Sequence, residues 1–249
     1  MKSAIVIPAR YASSRLPGKP LLNATGKYLV QHVYENACRS RAKDVIVATD
    51  DARILNAVRS FGGQATMTRA DHASGTDRVA EVARTLDADV ILNLQGDEPQ
   101  LDPAILDVLP ELLANDRAAS MATLAVPITS MEQWRDPNCV KLVRDQKGRA
   151  LYFSRSPIPF VRDGAPDFTK QPPMFLQHLG LYAYRREFLL HLATLPPEPL
   201  EELEKLEQLR VLALGHKIAV GVVRHAGRGV DTPEDYERFV ESQRLRIAA

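Results

Sequence analysis

Ala4-Ile5-Val6-Ile7, followed at once by Pro8-Ala9-Arg10-Tyr11-Ala12-Ser13-Ser14-Arg15-Leu16-Pro17-Gly18-Lys19-Pro20, decides how the chain is read. The apolar run is a buried strand. The segment behind it, rich in Arg, Pro and Gly, is a loop. Outward from there, residues 28–38 place Leu29, Val30, Val33 and Ala37 on one helical face. Residues 44–49 read as a second strand, and 51–60 as a helix closed by Gly62-Gly63. A short strand at 65–68, a helix at 76–86 and a buried strand at 90–94 follow. Strands alternating with helices predict βαβ units and a mainly parallel sheet with helices on both faces. Ligands of such sheets bind beyond the carboxyl ends of the strands. The places to search are therefore the residues after Ile7, Thr49 and Leu94.

The pattern then changes. Residues 121–126 and 140–143 read as strands, and the turn Asp145-Gln146-Lys147-Gly148 leads to another at 150–153. Residues 156–173 are proline-rich loop, 199–214 a single helix, 217–223 a strand, and a last helix starts at Pro233. The expected architecture is one α/β domain over 1–249. Its core is formed by about 1–126 and 199–249, with a small antiparallel lobe inserted at about 127–198.

With 249 residues, 45% of them hydrophobic and 25% charged, the chain can bury a full core. A formal net charge of +1 gives no global attraction to nucleic acid or an anionic membrane, so any anion site is local. No stretch has the length of a membrane span, and the first apolar run is too short for a secretory signal. Cys38 and Cys139 lack metal-ligand spacing and suit a reducing compartment. A cytoplasmic protein without membrane insertion is expected.

Five segments carry candidate chemistry. The loop after the first strand holds three cations, Arg10, Arg15 and Lys19, within ten residues, beside small residues that leave N–H groups open. It can surround a triphosphate, with Arg10 and Lys19 foremost. The bland alternative is a solvated basic loop. It is not a Walker A motif, because Gly18-Lys19 is followed by Pro and no Gly lies five residues before Gly18. Gln95-Gly96-Asp97-Glu98-Pro99 sets a carboxylate pair at a strand end, where Mg²⁺ takes one or two carboxylates. Asp97 is the nearer ligand, against a reading as a polar capping loop.

In Gly229-Val230-Asp231-Thr232-Pro233-Glu234-Asp235, Thr232 can cap the last helix with Asp235. That leaves Asp231 either as second metal carboxylate or as the cap itself. On the 199–214 helix, Leu200, Leu203, Leu206, Ala213 and Leu214 form a stripe containing Glu207 and Arg210, with Gln208 toward the polar side. A structural Glu207–Arg210 pair or a polar ligand would explain them. Finally, Ser74-Gly75-Thr76 is a turn into a helix whose open backbone groups could read a base edge. His72 and His178 read as ordinary surface and strand histidines, and Trp134 as packing. No His/Cys zinc cluster and no G-x-S-x-G elbow is present.

Taken in order, IPARYASSRLPGKPL, VATDD, MTRADHASGTDRVAEV, NLQGDEP, MATLAVPI, NCVKLV, ALYFSRSPIPF, HLGLYAYRREFL, LEQLRVL and GVDTPEDYER resemble the 3-deoxy-manno-octulosonate cytidylyltransferase (CMP-Kdo synthetase) family over nearly the whole chain. The resemblance implies a nucleotide-diphospho-sugar transferase fold, usually homodimeric through the smaller lobe. It implies transfer of CMP from CTP to the acidic sugar Kdo with release of pyrophosphate. Carried over by motif, Arg10 and Lys19 would hold the triphosphate, and Arg15 would also contact substrate. Ser74 and Gly75 would bind cytosine and ribose. Asp97 and Asp231 would hold Mg²⁺. Gln95, Arg155, His178, Tyr182, Glu207 and Gln208 would line the sugar pocket.

Overall fold

The computed structural model describes residues 1–12, 16–225 and 227–248. Its elements, in chain order, are β1 (Ser3–Ala9), α1 (Leu29–Ala37), β2 (Asp44–Thr49), α2 (Ala52–Ser60), β3 (Ala65–Met67), α3 (Gly75–Ala83), β4 (Val90–Asn93) and α4 (Pro103–Asn115). Then follow β5 (Ala119–Pro127), α5 (Met131–Arg135), β6 (Lys141–Arg144), β7 (Ala150–Ser154), β8 (Leu176–Arg185), α6 (Arg186–Leu192), α7 (Pro199–Glu204), α8 (Gln208–Ala213), β9 (Lys217–Val222) and α9 (Pro233–Ala248). The chain forms two compact units, one of residues 1–107 and 227–249, the other of residues 108–226.

In the first unit the strands run in the order β3-β2-β1-β4, all parallel. Ile5 sits opposite Val45 on one side and Leu92 on the other. Ala4 to Ile7 are fully buried, as strands covered on both faces must be. α1 buries Leu29, Val30, Val33 and Ala37, the face its periodicity predicts. The chain lays β1, β2 and β3 in one direction, then returns to place β4 on the far side of β1. The switch in strand order therefore falls between the carboxyl ends of β1 and β4, the crevice where open α/β sheets bind ligands. Arg78 of α3, fully buried, ties the ends of β2 and β3 together: it donates to Asp50 Oδ2 at 2.7 Å and to Thr68 Oγ1.

In the second unit β5 is central, antiparallel to β8 and parallel to β9, and β6 pairs antiparallel with β7 and β8. Along β5 and β8 the register jumps: Thr123 faces Tyr182, but Leu124 faces Leu179. Gly180 and Leu181 are the extra residues of a bulge. The Thr123 hydroxyl fills it, facing the carbonyls of Leu181 at 2.8 Å and Leu179 at 3.2 Å. Bulges of this kind re-aim side chains beside functional sites.

The single helix expected over 199–214 is two helices. α7 ends at Glu204, and the next residue, Lys205, has a left-handed backbone at φ 52° and ψ 47°. The Glu204 carbonyl, needed to continue a helix, instead accepts from Arg155 Nε at 2.7 Å. The break is confirmed by Arg210, which forks onto the Glu201 carboxylate at 2.7 and 2.6 Å. Nine residues apart in one helix, these would be separated by about 13 Å along the axis. The helical phase resets, so the expected stripe dissolves. Leu203 is 81% exposed, while Gln208, assigned to the polar side, is 3% exposed. Sequence periodicity also passed over α4, α5 and α6. Among the described residues no helix is long and apolar enough to cross a membrane.

Candidate active site

In the first unit, β1 ends at Ala9 and delivers Arg10, and β4 ends at Asn93 and delivers the segment 94–98. Gly96 lets that segment pass over the end of β1: a Cβ there would sit 3.2 Å from the Pro8 carbonyl oxygen. A third segment, 227–231, is laid against it. A Cβ on Gly227 would stand 2.4 Å from the Gln100 carbonyl oxygen, which no side chain tolerates. The Val230 N–H donates to the Asp97 carbonyl at 2.8 Å, and the Val230 side chain is buried with Leu29 and Phe239. That anchoring puts Asp231 next to Asp97. Thr232 and Asp235 form the reciprocal cap of α9, with Asp235 N to Thr232 Oγ1 at 3.2 Å and Thr232 N to Asp235 Oδ2 at 2.9 Å. The Asp231 carboxylate faces the basic loop instead of serving as the cap.

Lys19 closes the cluster. Its ammonium donates to Asp97 Oδ2 at 2.7 Å, the Val230 carbonyl at 3.0 Å and Asp231 Oδ1 at 3.1 Å. Glu98 lies beneath, with Oε1 positioned 3.2 Å from where a Cβ of Gly229 would be. Burial, reinforced by the charges of Asp97 and Asp231 and opposed by Lys19, pushes its carboxyl up to about 8. It is therefore neutral at pH 7 and adds no charge to the pair. Two carboxylates that already share one cation suit Mg²⁺, which takes one or two carboxylates and completes its shell with water and phosphate. Among the described residues no group of three His, Cys, Asp or Glu side chains could hold a metal.

Arg10 points away from this cluster, toward the turn before α3. Its Nη2 donates to the carbonyls of His72 at 2.8 Å and Ser74 at 3.1 Å. Ser74 caps α3 in a reciprocal box with Asp77: Asp77 N donates to Ser74 Oγ at 3.1 Å, and Ser74 N to Asp77 Oδ2 at 3.0 Å. The Ser74 N–H, expected to be open, is thus occupied, and Gly75 begins the helix. Gln95 leans on Asn93, its Nε2 lying 3.4 Å from Asn93 Oδ1. Arg15 lies outside the described residues.

The second unit holds a different kind of cluster. His178 Nε2 is 3.0 Å from the Thr123 hydroxyl. That hydroxyl has one proton and spends it on the bulge carbonyls, so His178 carries hydrogen on Nε2. Phe153 and Tyr182 flank the imidazole at ring separations of 5.0 and 5.4 Å. Burial drives the His178 pKa down to about 3, so it is a neutral hydrogen-bonding group. Burial and then the nearby Glu207 charge hold the Tyr182 phenol well above its ordinary pKa, and its OH donates to Gln208 Oε1 at 3.1 Å. Among the described residues, Gln208 Nε2 is buried without a hydrogen-bond partner. A buried amide N–H₂ left unpaired is costly and marks a place for an acceptor.

Nearby, Arg155 donates to the carbonyls of Glu204 (2.7 Å), Pro137 (3.0 Å) and Lys205 (3.5 Å). Fully buried Lys141 donates to those of Asp136, Cys139 and Arg155, at 2.8, 2.6 and 2.6 Å. Sequence reading named Arg155, His178, Tyr182, Glu207 and Gln208 but missed Thr123, Glu204 and Lys141, and it took Glu98 only as the lesser member of a carboxylate pair with Asp97. Nothing local singles out Thr123, because its role exists only once the bulge forms.

The cytidylyltransferase family model matches residues 4–218. The chain belongs to the cytidylyltransferase family. A 3-deoxy-manno-octulosonate cytidylyltransferase of Syntrophobacter fumaroxidans is 55% identical over 244 residues, 96% of each chain. One of Syntrophotalea carbinolica is 51% identical over 242 residues, covering 96% of this chain and 97% of its own. A solved CMP:2-keto-3-deoxy-manno-octonic acid synthetase complexed with CTP superposes with a TM-score of 0.91 at 45% identity. It covers 99% of this chain and 100% of that one.

Proposed function

We propose that this protein transfers CMP from CTP to 3-deoxy-D-manno-octulosonate (Kdo), releasing pyrophosphate and activating the sugar for lipopolysaccharide synthesis. The observation that carries the reading is the Asp97–Lys19–Asp231 cluster at the β1/β4 switch in strand order. The relatives named above supply the substrate class.

The anomeric hydroxyl of Kdo attacks the α-phosphorus, the bond to the bridging oxygen breaks in line, and pyrophosphate departs. The hydroxyl proton goes to solvent, and no side chain is assigned as general base. Asp97 and Asp231 would hold Mg²⁺, which when bound would supply charge neutralisation and lower the pKa of the attacking hydroxyl. Lys19 and Arg10, with Arg15, favour the leaving pyrophosphate. In the second unit, Gln208 Nε2 donates to a sugar oxygen, and neutral His178 orients without adding charge. Arg155 keeps two of its five N–H donors beyond the three carbonyls it serves, enough for the sugar carboxylate.

Leu151, Phe160 and Met174 of the second unit are 60%, 83% and 60% exposed, and a homodimer that covers them is tested by light scattering. The free thiols Cys38 and Cys139 fit a cytoplasmic setting.

The decisive assay is pyrophosphate release from CTP and Mg²⁺ with Kdo, its 8-amino analogue and N-acetylneuraminate in parallel. Release fastest with Kdo is expected. Release only with another acid keeps the chemistry and replaces the substrate. No release with any of the three overturns the reading.

A further inference from the structure

The Lys19 ammonium has three N–H donors, and all three are used: Asp97 Oδ2 at 2.7 Å, the Val230 carbonyl at 3.0 Å and Asp231 Oδ1 at 3.1 Å. The side chain is 13% exposed. Held this way, Lys19 has no N–H for a phosphate oxygen. The two roles that fall on it, bridging the acid pair and holding pyrophosphate, exclude one another in a single position.

A divalent cation on the same two carboxylates would compete with the ammonium for its acceptors and repel it at close range. A nucleotide triphosphate would offer the ammonium new acceptors of the same sign. We propose that Lys19 is an exchangeable cation that couples metal binding to nucleotide binding. It keeps Asp97 and Asp231 together and their repulsion low. It yields them when a divalent cation arrives and then moves onto the triphosphate. Metal without nucleotide binds poorly, because displacing Lys19 leaves its ammonium without acceptors in a largely buried place. This inference rests on the reading of Asp97 and Asp231 as the metal carboxylates.

The test is a titration of the full-length protein with Mn²⁺ in the absence of nucleotide, following the electron paramagnetic resonance signal of the free ion. Lys19→Met and Lys19→Gln should each bind nucleotide-free Mn²⁺ about tenfold more tightly than the parent, because the competing charge is gone. Lys19→Arg, which keeps the charge, should stay near the parent value. Urea unfolding followed by Trp134 fluorescence shows that each variant is folded. Equal or weaker Mn²⁺ binding by both folded neutral variants overturns the exchange. Asp97→Asn, alone and combined with Lys19→Met, separates the premises. If Asp97→Asn abolishes Mn²⁺ binding and the neutral Lys19 variants still do not tighten it, only the exchange fails. If Mn²⁺ binds as well without the Asp97 carboxylate, the metal assignment itself fails.

Discussion

The candidate residues of the first unit are partly exposed charges, and those of the second are mostly buried neutral groups with the Arg155 guanidinium nearby. Asp97 and Asp231 keep 29% and 48% of their side-chain surface open around one ammonium. Thr123, His178 and Gln208 are nearly closed to solvent, and the histidine is held neutral. On the proposed function, the difference follows from what each would hold. Phosphates and metals are bound by net charge, and partial hydration keeps charge affordable to assemble. A sugar ring is distinguished by the positions of its hydroxyls, and a dry, prearranged set of donors and acceptors reads position best. Cations are the exceptions in the second unit: Arg210 is buried on the Glu201 carboxylate, Arg155 serves three carbonyls, and fully buried Lys141, also satisfied by carbonyls, works as a structural clamp.

The largest effect should come from the charged cluster. Asp97→Asn removes one of its two carboxylates, and kcat should fall about a thousandfold, near 4 kcal/mol, with little change in urea stability. Near-normal turnover in steady-state assays would break the contrast at its strongest point. Next is the buried clamp. Lys141→Met strands three buried carbonyls and should cost about 3 kcal/mol in urea unfolding. A loss below about 0.5 kcal/mol would mean that water replaces the ammonium without penalty.

The neutrality of His178 gives a smaller effect with a definite sign. Its folded pKa of about 3 lies below the ordinary histidine value of 6.5, so between those limits the unfolded chain binds the extra proton. Stability is present above pH 6.5 and is lost as the pH falls. At pH 5 the loss should reach about 2 kcal/mol, and His178→Gln should lose correspondingly less between pH 7.5 and 5. Parallel pH profiles for the two proteins would show that the imidazole is charged in the fold. The smallest effect is Gln208→Leu, which should raise the KM for Kdo about tenfold through one lost donor and leave the KM for CTP unchanged. A change confined to CTP would move Gln208 out of the sugar cluster.

Legibility in the sequence divides along similar lines. α1 shows the buried face its periodicity predicts, and Thr232 caps α9 with Asp235 as its spacing requires. Both depend on neighbours within a turn or two. The 199–214 segment failed because its stop signal is tertiary: Arg155, far away in the chain, takes the Glu204 carbonyl. Arg210 then finds Glu201 across the break, not through helical spacing. Gln208 changed sides for the same reason. Glu98 stood in view beside Asp97, but its neutrality depends on burial and on Asp231, which arrives from the other end of the chain.

The sequence by itself determined the alternation of buried strands and helices, the basic loop after β1, the acidic pair after β4 and the cap of α9. These are set by hydrophobic period, turn chemistry and residues close in the chain. Only the tertiary structure decided that Lys19 joins Asp97 to Asp231, that a β8 bulge turns Thr123 and His178 toward each other, and that the helix expected over 199–214 breaks at Lys205. Each of these joins residues far apart in the chain, through a hydrogen bond, an ion pair or a strand register that local propensity does not encode.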